Sequence, residues 1–494
     1  MKLDELIQNL QTGGGPSGPE FEILGDASSV EVDRITDDSR ELTSNSVFAI
    51  TALSRQHLES ALLKKPALII APPVMRNSQD LKLFAQEGAV LLGKRPARSR
   101  PEWILARLAG IFYQHPDRKI QITAVTGTNG KTSISRMLYH AWKSAGENCG
   151  VIGTLGATYI SGGEEIQIHT GYTTPRSYQL LALLKGMSDR GVQKVALEAS
   201  SEALALGRLE TIHLHQAIFC GLSVDHLDYH RTMSRYFMAK IHLFTLLARS
   251  KGTAIIQDLS GQETDLHAKK IHRYLERTNT EYRIIDSFHE FKLNAPVEFN
   301  QRNANLAWQA SGLEFNENMF ASMPDVPGRM NRIAVQKNVD AIIDYAHTPD
   351  ALRRILEQLK EQGYDQLICV FGCGGNRDSS KRVLMGRAAM ELATEVIVTD
   401  DNPRKEDPSR IRSQIMKARE LPDLKPAYRR LLEIPDRREA IQQALEMASS
   451  ETASGLRACV LIAGKGHEDY QIYGTEKKHF SDYEVVEDSI KEKQ

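Results

Sequence analysis

Residues 120–132, with the sequence IQITAVTGTNGKT, have the types and order of a phosphate-binding loop. A β-branched apolar run leads into a Gly/Thr/Asn loop, then Lys131 and Thr132, and a helical pattern follows over 133–145. A loop between a strand and a helix start binds anions through backbone N–H groups and the helix dipole. Lys131 can reach the β- and γ-phosphates of a nucleotide, and the Thr132 hydroxyl can hold Mg²⁺. Because Val125 stands where the Walker A pattern has its first glycine, a turn that binds nothing stays the alternative.

Three further residues could act beside such a loop. Glu198 ends the strand-like run KVALE, and a carboxylate at that place is a suitable Mg²⁺ ligand, although a surface glutamate would give the same pattern. His226 lies in VDHLDYH, where several acids and imidazoles follow a third strand, which favours a metal site over a structural histidine. Lys240 lies on a predicted helix, and from the residues alone it is an ordinary surface lysine.

Four polar loops follow strand-like runs in the carboxyl-terminal third of the chain. Asp344 closes the run AIID and could bind ribose hydroxyls, and the loops FGCGGNRD, TDDNPRKEDP and AGKGHEDYQ follow three more runs. Because ligands of parallel sheets bind beyond the carboxyl ends of the strands, we expect these loops to share one crevice. A guanidinium beside acid and amide groups suits a ligand with both amino and carboxylate ends. The side chains that these loops present are Arg377, Asp401, Asn402, Arg404 and Glu468.

The elements that position these residues alternate between strand and helix. The alternation predicts an α/β protein of three domains: a small amino-terminal α/β domain (1–110), a central P-loop-type doubly wound sheet (111–325) and a carboxyl-terminal Rossmann-like domain (326–494). The segment MPDVPGRMNR, with two prolines and a glycine, is predicted to be a hinge between the second and third domains.

Composition excludes several classes of function. The formal net charge of −1 over 494 residues gives no electrostatic reason to bind nucleic acid or an anionic membrane. No stretch approaches the roughly 18 apolar residues of a membrane helix, and the acidic start MKLDE is unlike a secretory signal. The five cysteines lack paired zinc spacing, so we expect reduced, buried thiols in a cytoplasmic protein.

The chain resembles the Mur ligases, a family of ATP-dependent amide ligases. The resemblance is carried by TGTNGKT, DHLDYH, YFMAK, FNQRNA, VPGRM, DYAHTPD, GCGGNRD, DNPR and GKGHEDYQ, and is dense from about residue 111 onwards. It implies a first domain for the uridine diphosphate end of the substrate, a second for ATP and a third for an amino acid. It also implies phosphorylation of a substrate carboxylate, followed by attack of an amine on the acyl phosphate, with Mg²⁺ as cofactor and small molecules as partners.

The resemblance assigns roles residue by residue. Lys131 and Thr132 would bind phosphates and Mg²⁺, Glu198 and His226 would ligate metal, and Lys240 would be carbamylated, which turns an ammonium into an anionic ligand. The remaining loop residues that would bind nucleotide are Thr126, Gly127, Thr128, Asn129 and Gly130, together with Asn303, Arg329 and Asp344. Residues that would hold the UDP-muramoyl-peptide are Ser39, Thr173, Thr174, Ser200 and Arg208, and those for the amino acid are Arg377, Asp401, Asn402, Arg404, Gly464 and Glu468.

Within the family, the DYAHTPD, DNPR and GKGHE set is similar to that of ligases that add the third amino acid to UDP-N-acetylmuramoyl-L-alanyl-D-glutamate. The DNPR form implies meso-diaminopimelate, because Arg404 would pair with the distal carboxylate; L-lysine or another diamino acid is the alternative. Other possibilities are a folylpolyglutamate- or cyanophycin-synthetase-like enzyme, disfavoured by GKT in place of GKGS, and a non-catalytic ATP-binding paralogue. Neither a membrane association nor a nucleic-acid partner is implied, and a monomer is expected.

Several positions depart from the family pattern and affect the muramoyl-peptide contacts most. Tyr172 and Gly221 stand where the family usually has Asn, Glu202 where it has His or Gln, and Asn331 where a Glu often follows VPGRM. The stretch 258–298 is also short, so the central sheet is predicted to lack a peripheral strand or two.

Overall fold

The alternation of apolar strands and amphipathic helices forms three separate sheets along the chain. The structure is a computed structural model, and it describes residues 1–12, 21–26, 30–51, 54–94, 100–258, 265–286, 288–451 and 455–492. The glycine- and proline-rich run 13–20 and part of the basic run 94–100 therefore lie outside the described residues. The α/β class with three sheet-centred units agrees with the sequence prediction.

The first sheet has the strand order β1-β5-β4-β3-β2, with β2 to β5 parallel and β1 antiparallel to β5. Helices α1 and α4 pack together beside it. The strands are β1 (Phe21–Leu24), β2 (Arg34–Thr36), β3 (Ser46–Ala49), β4 (Leu68–Ala71) and β5 (Ala89–Gly93). The helices are α1 (Leu3–Thr12), α2 (Leu58–Leu63), α3 (Gln79–Phe84) and α4 (Pro101–Phe112).

The second sheet has the order β13-β12-β11-β6-β10-β7-β8-β9 and places β6, the strand before the phosphate loop, at its centre. Strands β10 and β7 lie on one side of β6, and β11 and β12 lie on the other, so the strand order reverses at β6. Open α/β sheets bind ligands at such a switch point. The strands are β6 (Gln121–Thr126), β7 (Cys149–Gly153), β8 (Gly156–Ser161), β9 (Glu164–Ile168), β10 (Lys194–Glu198), β11 (Gln216–Phe219), β12 (Thr253–Gln257) and β13 (Tyr282–Ile285). The helices are α5 (Lys131–Ser144), α6 (Ser177–Asp189), α7 (Ser201–Ala205), α8 (Leu227–His230), α9 (Met233–Ser250), α10 (Asp265–Arg277) and α11 (Glu298–Ser311).

The third sheet has the order β14-β15-β19-β16-β17-β18, parallel except for the edge strand β14, and a separate hairpin β20–β21 follows it. The strands are β14 (Asn331–Gln336), β15 (Val339–Asp344), β16 (Gln366–Phe371), β17 (Glu395–Val398), β18 (Arg430–Glu433), β19 (Ala458–Ala463), β20 (Tyr470–Tyr473) and β21 (Glu476–His479). The helices are α12 (Pro349–Glu361), α13 (Ser380–Leu392), α14 (Pro408–Met416), α15 (Arg437–Glu451) and α16 (Asp482–Lys491).

Sequence patterns located the central strands of the second and third sheets but not their edges. The meander β7–β8–β9 was not predicted, because its strands are short and β9 is largely exposed, so it lacks a buried apolar run. Strand β13 lies inside the stretch expected to lose peripheral strands. The described stretch therefore keeps at least one peripheral strand.

The interior agrees with the composition. All five cysteines are buried and free, as predicted. Strands β15, β16 and β19 are buried along their whole length, which explains their continuous apolar runs in a parallel sheet covered on both faces. Among the residues described, no helix is long and apolar enough to cross a membrane.

Candidate active site

The phosphate loop lies between the end of β6 and the first turn of α5, as its sequence predicted. The ammonium of Lys131 lies within the loop and donates to the carbonyls of Gly127 (3.0 Å) and Thr128 (2.8 Å). Gly127 has φ +157°, and a Cβ there would lie 2.3 Å from Cys220 Sγ, so no other residue fits without moving the neighbouring strand. The thiol of Cys220 donates to the Asn129 carbonyl at 2.9 Å, which fixes the loop from below.

Glu198 and Thr132 place several oxygen atoms next to the phosphate loop. Thr132 Oγ1 donates to Glu198 Oε2 at 3.1 Å, and Thr154 holds both carboxylate oxygens through its backbone N–H and its hydroxyl at 3.0 Å each. A Cβ on Gly153 would lie 2.0 Å from Glu198 Oε1, so glycine there makes room for the carboxylate. One carboxylate beside one hydroxyl at a phosphate loop matches what Mg²⁺ requires, since that ion is completed by water and substrate phosphates.

Lys240 is the largest surprise of the site, because it is 1% exposed rather than on the surface. Its Nζ donates to the Gly127 carbonyl at 2.6 Å, so Lys131 and Lys240 share one acceptor. Burial, and then the nearby Lys131 charge, lower the pKa of Lys240 well below its usual value. A lowered pKa favours the uncharged amine, which is the form that reacts with CO₂ to give a carbamate.

His226 does not join Glu198 in a ready-made metal cage. In the described parts of the chain, no group of three or more His, Cys, Asp and Glu side chains could hold a metal ion by itself. The His226 ring instead lies beside Asp225 (3.3 Å) and Glu202 (3.8 Å), and burial lowers its pKa to about 3. The imidazole is thus neutral, as a metal ligand must be. Its role in binding metal stays a prediction.

Two of the predicted nucleotide residues, Arg329 and Asp344, come from the third sheet and its leading loop, and a third, Asn303, comes from α11. Arg329 Nη2 donates to Thr132 Oγ1 at 3.2 Å, and its guanidinium lies 4.6 Å from the ring centroid of Tyr345. Asp344 accepts the backbone N–H of Met330 at 2.8 Å, and burial raises the pKa of its carboxyl. Asn303 on α11 abuts the loop, since a Cβ on Gly130 would lie 2.8 Å from its carbonyl oxygen.

The residues predicted to bind an amino acid meet at the carboxyl edge of the third sheet. Asn402 Nδ2 donates to Asp401 (3.0 Å) and to Glu468 (2.8 Å), and burial, then repulsion by Asp401, raise the pKa of Glu468. Arg404 adopts φ +54° and donates to the Gly375 carbonyl at 3.1 Å. The hairpin β20–β21 fixes this loop, because the Arg404 N–H bonds to Ile472 and the Gly474 N–H bonds to Arg404.

The predicted peptide-binding residues divide into two places. Thr174, Ser200 and Arg208 form one chain of contacts: Thr174 Oγ1 accepts the Ser200 N–H at 3.0 Å, and Arg208 donates to the Thr174 carbonyl at 2.6 Å. The hydroxyl of the adjacent Thr173 lies 3.0 Å from that of Thr154. Ser39 lies apart, in a short 3₁₀ turn of the first unit, and does not line the cleft with them.

One open cleft of about 1340 Å³ connects these groups. Its walls include Lys131, Glu198 and His226 on one side and Arg377, Arg404 and Glu468 on the other. The ends of two doubly wound sheets therefore face each other across one space. Of the predicted site residues, Thr126, Gly127 and Ser39 do not line it. Thr126 bonds instead to the Ala199 carbonyl, and the Gly127 carbonyl accepts from Lys131.

Comparison with known proteins identifies the family. Residues 125–323 match the family model Mur ligase middle domain, and residues 328–466 match Mur ligase, glutamate ligase domain. The chain is 34% identical over 524 aligned positions, covering 99% of it and 98% of the relative, to UDP-N-acetylmuramoyl-L-alanyl-D-glutamate--2,6-diaminopimelate ligase of Leptospira interrogans. The chain belongs to the Mur ligase family.

Other similar proteins carry the same name. The enzyme of that name from Thermosynechococcus vestitus is 38% identical over 415 positions, covering 78% of this Mur ligase and 80% of the relative. A solved structure titled UDP-N-acetylmuramoyl-L-alanyl-D-glutamate--2,6-diaminopimelate ligase is 28% identical, with a TM-score of 0.57, and covers 100% of this chain and 99% of its own.

Sequence reasoning missed the contacts that join the two walls of this Mur ligase. Asp225, 3% exposed, lies 3.4 Å from Lys381 of α13 and 3.7 Å from His347. Burial acts against ionisation, but the contact with His347 and the charge of Lys381 hold the pKa of Asp225 well below its usual value. Asp225 lies in the run DHLDYH, but its contact with Lys381, 156 residues further along the chain, leaves no pattern in the local sequence.

Proposed function

We propose that this Mur ligase uses ATP to join the amine of meso-diaminopimelate to the free carboxylate of UDP-N-acetylmuramoyl-L-alanyl-D-glutamate. The observation that carries the proposal is the single cleft with a phosphate loop on one wall and an acid–amide–guanidinium cluster on the other. The names of full-length relatives at 34% identity support it. Such a reaction builds the peptide of peptidoglycan precursors.

The first step transfers the γ-phosphoryl group of ATP to the substrate carboxylate. A carboxylate oxygen attacks the γ-phosphorus, the bond to the β-phosphate oxygen breaks, and ADP leaves. Two anions must approach each other, so cations determine the barrier. Lys131 in the phosphate loop and Arg329, which donates to Thr132, supply two of those charges.

The second step forms the amide. The neutral amine of the amino acid attacks the acyl carbon, loses a proton, and the tetrahedral intermediate expels inorganic phosphate. Asp401, Asn402 and Glu468 form a hydrogen-bonded acidic cluster that suits an amino group, and Arg377 and Arg404 suit carboxylates.

Mg²⁺ would be held by Thr132 and Glu198, with His226 and carbamylated Lys240 as further ligands, and would neutralise phosphate charge. Formation of the carbamate joins the Lys240 amine to CO₂ with release of one proton. We expect Lys240→Ala to lose activity that added bicarbonate does not restore. A ¹³C NMR carbamate signal after labelling with ¹³C-bicarbonate should be present in the wild type and absent in this variant; its absence from both would exclude the carbamate.

Diaminopimelate is favoured over lysine by Arg404. Its guanidinium lines the cleft and has only backbone carbonyls as hydrogen-bond acceptors within the structure described, so it can pair with a distal carboxylate. The ammonium of lysine would be repelled there. L-lysine or another diamino acid, and a non-catalytic ATP-binding paralogue, are the alternatives.

A substrate panel tests the proposal. ADP should form only when UDP-muramoyl-dipeptide and an amino acid are both present, with meso-diaminopimelate far better than lysine or ornithine. Equal ATP turnover without either acceptor would refute the ligase assignment. ATP binding by calorimetry without any amide product would indicate the non-catalytic paralogue.

The remaining expectations extend this proposal. We infer domains at 1–110, 111–325 and 326–494, a role for Ser39 at the uridine diphosphate end, and a cytoplasmic monomer. The five buried free thiols support a reducing compartment. Light scattering of the purified protein tests the monomer, and fractionation of its native cells tests the compartment.

A further inference from the structure

Tyr172 lines the cleft and lies beside two arginine side chains. The guanidinium carbon of Arg208 lies 5.1 Å from the ring centroid of Tyr172, and that of Arg176 lies 5.6 Å from it. Arg176 Nη2 also donates to the Tyr172 hydroxyl at 3.1 Å. Both arginines are within the distance at which a cation is attracted to an aromatic ring.

The two arginines differ in their partners. Arg176 is paired with Asp37, which is 7% exposed and also accepts the Thr51 hydroxyl at 3.1 Å. Arg208 lies within 4.0 Å of no carboxylate in the part of the chain that is described, and its hydrogen bond there is to the Thr174 carbonyl. Burial lowers the pKa of Arg208, but a guanidinium remains charged at any ordinary pH.

A cation without a carboxylate partner that lines a substrate cleft is available for an anionic group of the ligand. One end of Arg208 is held by Thr174. Without a second contact, the long Arg208 side chain would lose rotamer freedom each time that it bound a carboxylate, and this entropy cost would weaken binding. The ring of Tyr172, 5.1 Å from the guanidinium, can supply that second contact.

We propose that Tyr172 is a positioning residue that keeps Arg208 oriented toward a carboxylate of the peptidyl substrate and connects it, through Arg176, to Asp37 of the first sheet. The inference rests on the proposed function and adds a residue to it. The connection spans the boundary between two sheets, since Asp37 follows β2 and Arg176 precedes α6. Binding of the peptidyl end is thereby linked to the placement of the first unit.

Two substitutions at Tyr172 separate positioning from folding. Tyr172→Ala should raise the KM for UDP-muramoyl-dipeptide about tenfold, while the KM values for ATP and for the amino acid change by less than about twofold. Tyr172→Phe keeps the ring and should recover most of the affinity. Calorimetric binding of UDP-muramoyl-dipeptide to each variant gives a second readout that needs no turnover.

A double-mutant cycle tests the connection to the first sheet. Asp37→Asn should also weaken UDP-muramoyl-dipeptide, and its effect should be smaller in the Tyr172→Ala background, because both changes release the same arginines. Equal rises in all three KM values, an unchanged Tyr172→Ala enzyme, a Phe variant as weak as the Ala variant, or additive effects would overturn the proposal. Wild-type protein that neither binds nor uses UDP-muramoyl-dipeptide would instead refute the proposed function itself.

Discussion

The cleft has a nucleotide wall with Lys131, Glu198 and His226 and an amino-acid wall with Arg377, Arg404 and Glu468. Both walls are built on similar parallel sheets, yet their functional residues are held in different ways. On the nucleotide wall, Lys131, Thr132 and Glu198 are fixed by the loop backbone and by short side chains of neighbouring strands. On the amino-acid wall, Arg404 and Glu468 depend on a hairpin and on a side-chain bridge that joins positions 66 residues apart. The functional residues of the nucleotide wall are therefore held mainly by the backbone, whereas the positions of those on the amino-acid wall depend on a few side-chain contacts.

Loss of Lys131 should have the largest effect. Lys131→Ala removes the ammonium that lies in the phosphate loop, and kcat/KM should fall about 10³-fold or more, because the charge of the transferring phosphoryl group is no longer offset. Steady-state ADP release measures it. Ser144→Ala, exposed in the last turn of the same helix and outside the cleft, is the control and should behave as wild type. Comparable losses in both variants would show that helix α5, rather than the loop, was damaged.

Arg404→Ala should affect one substrate only. Loss of a charge-assisted hydrogen bond costs about 1.5–3 kcal/mol, so the KM for diaminopimelate should rise roughly 10- to 100-fold while that for ATP stays near its original value. The adjacent exposed Lys405→Ala provides a control of the same charge. Equal changes in both KM values would contradict the assignment of separate tasks to the two walls.

The same contrast explains what could be read from the sequence. The phosphate loop, its flanking strand and helix, and Glu198 were located because each depends on a continuous segment. Burial of Lys240 was not foreseen, because the helix around it has no local feature that distinguishes an inward lysine. The side chains of the amino-acid wall were named from the polar loops that follow its strands, but the hairpin that holds them was not predicted, because it consists of two four-residue strands, one fully exposed. Contacts between distant segments, such as Asp37 with Arg176, leave no periodic signal.

Loss of the contact between the two walls should lower kcat. Lys381→Met removes the cation beside Asp225 and leaves a buried carboxylate with only imidazole neighbours, so the contact between the two walls loses stability. We expect kcat to fall about tenfold with little change in either KM. Stopped-flow and steady-state assays measure it, with Lys360→Met on α12 as a surface control. A change confined to the KM for ATP would place Lys381 on the nucleotide wall instead.

The pH dependence should distinguish the walls at acidic pH. Burial and Asp401 raise the pKa of Glu468, so its carboxyl is protonated at a higher pH than a free glutamate. Only the ionised form attracts an ammonium, so the KM for diaminopimelate should fall roughly three- to tenfold as the pH rises through this pKa and then level off. Glu468→Gln should remove this dependence, and the KM for ATP should not follow it. A wild-type KM that is flat with pH would exclude Glu468 as the amine partner.

The smallest effect is expected beside Arg329, the residue next to the third sheet that contacts Thr132 of the phosphate loop. Asn331 stands where the resemblance to the family leads us to expect a Glu, and its side-chain oxygen accepts from the Gly328 N–H (2.6 Å) and from the Tyr483 hydroxyl of α16. Because Gly328 precedes Arg329, these bonds hold the arginine that contacts Thr132. Tyr483→Phe removes the hydroxyl that donates to Asn331 and also accepts from the Gly328 N–H at 2.8 Å. Neutral hydrogen bonds are worth about 0.5–1.5 kcal/mol each, and the Gly328 N–H keeps Asn331 as an acceptor, so the KM for ATP should rise about two- to fivefold with diaminopimelate unaffected. A larger rise for diaminopimelate than for ATP would mean that the two walls are less independent than their construction indicates.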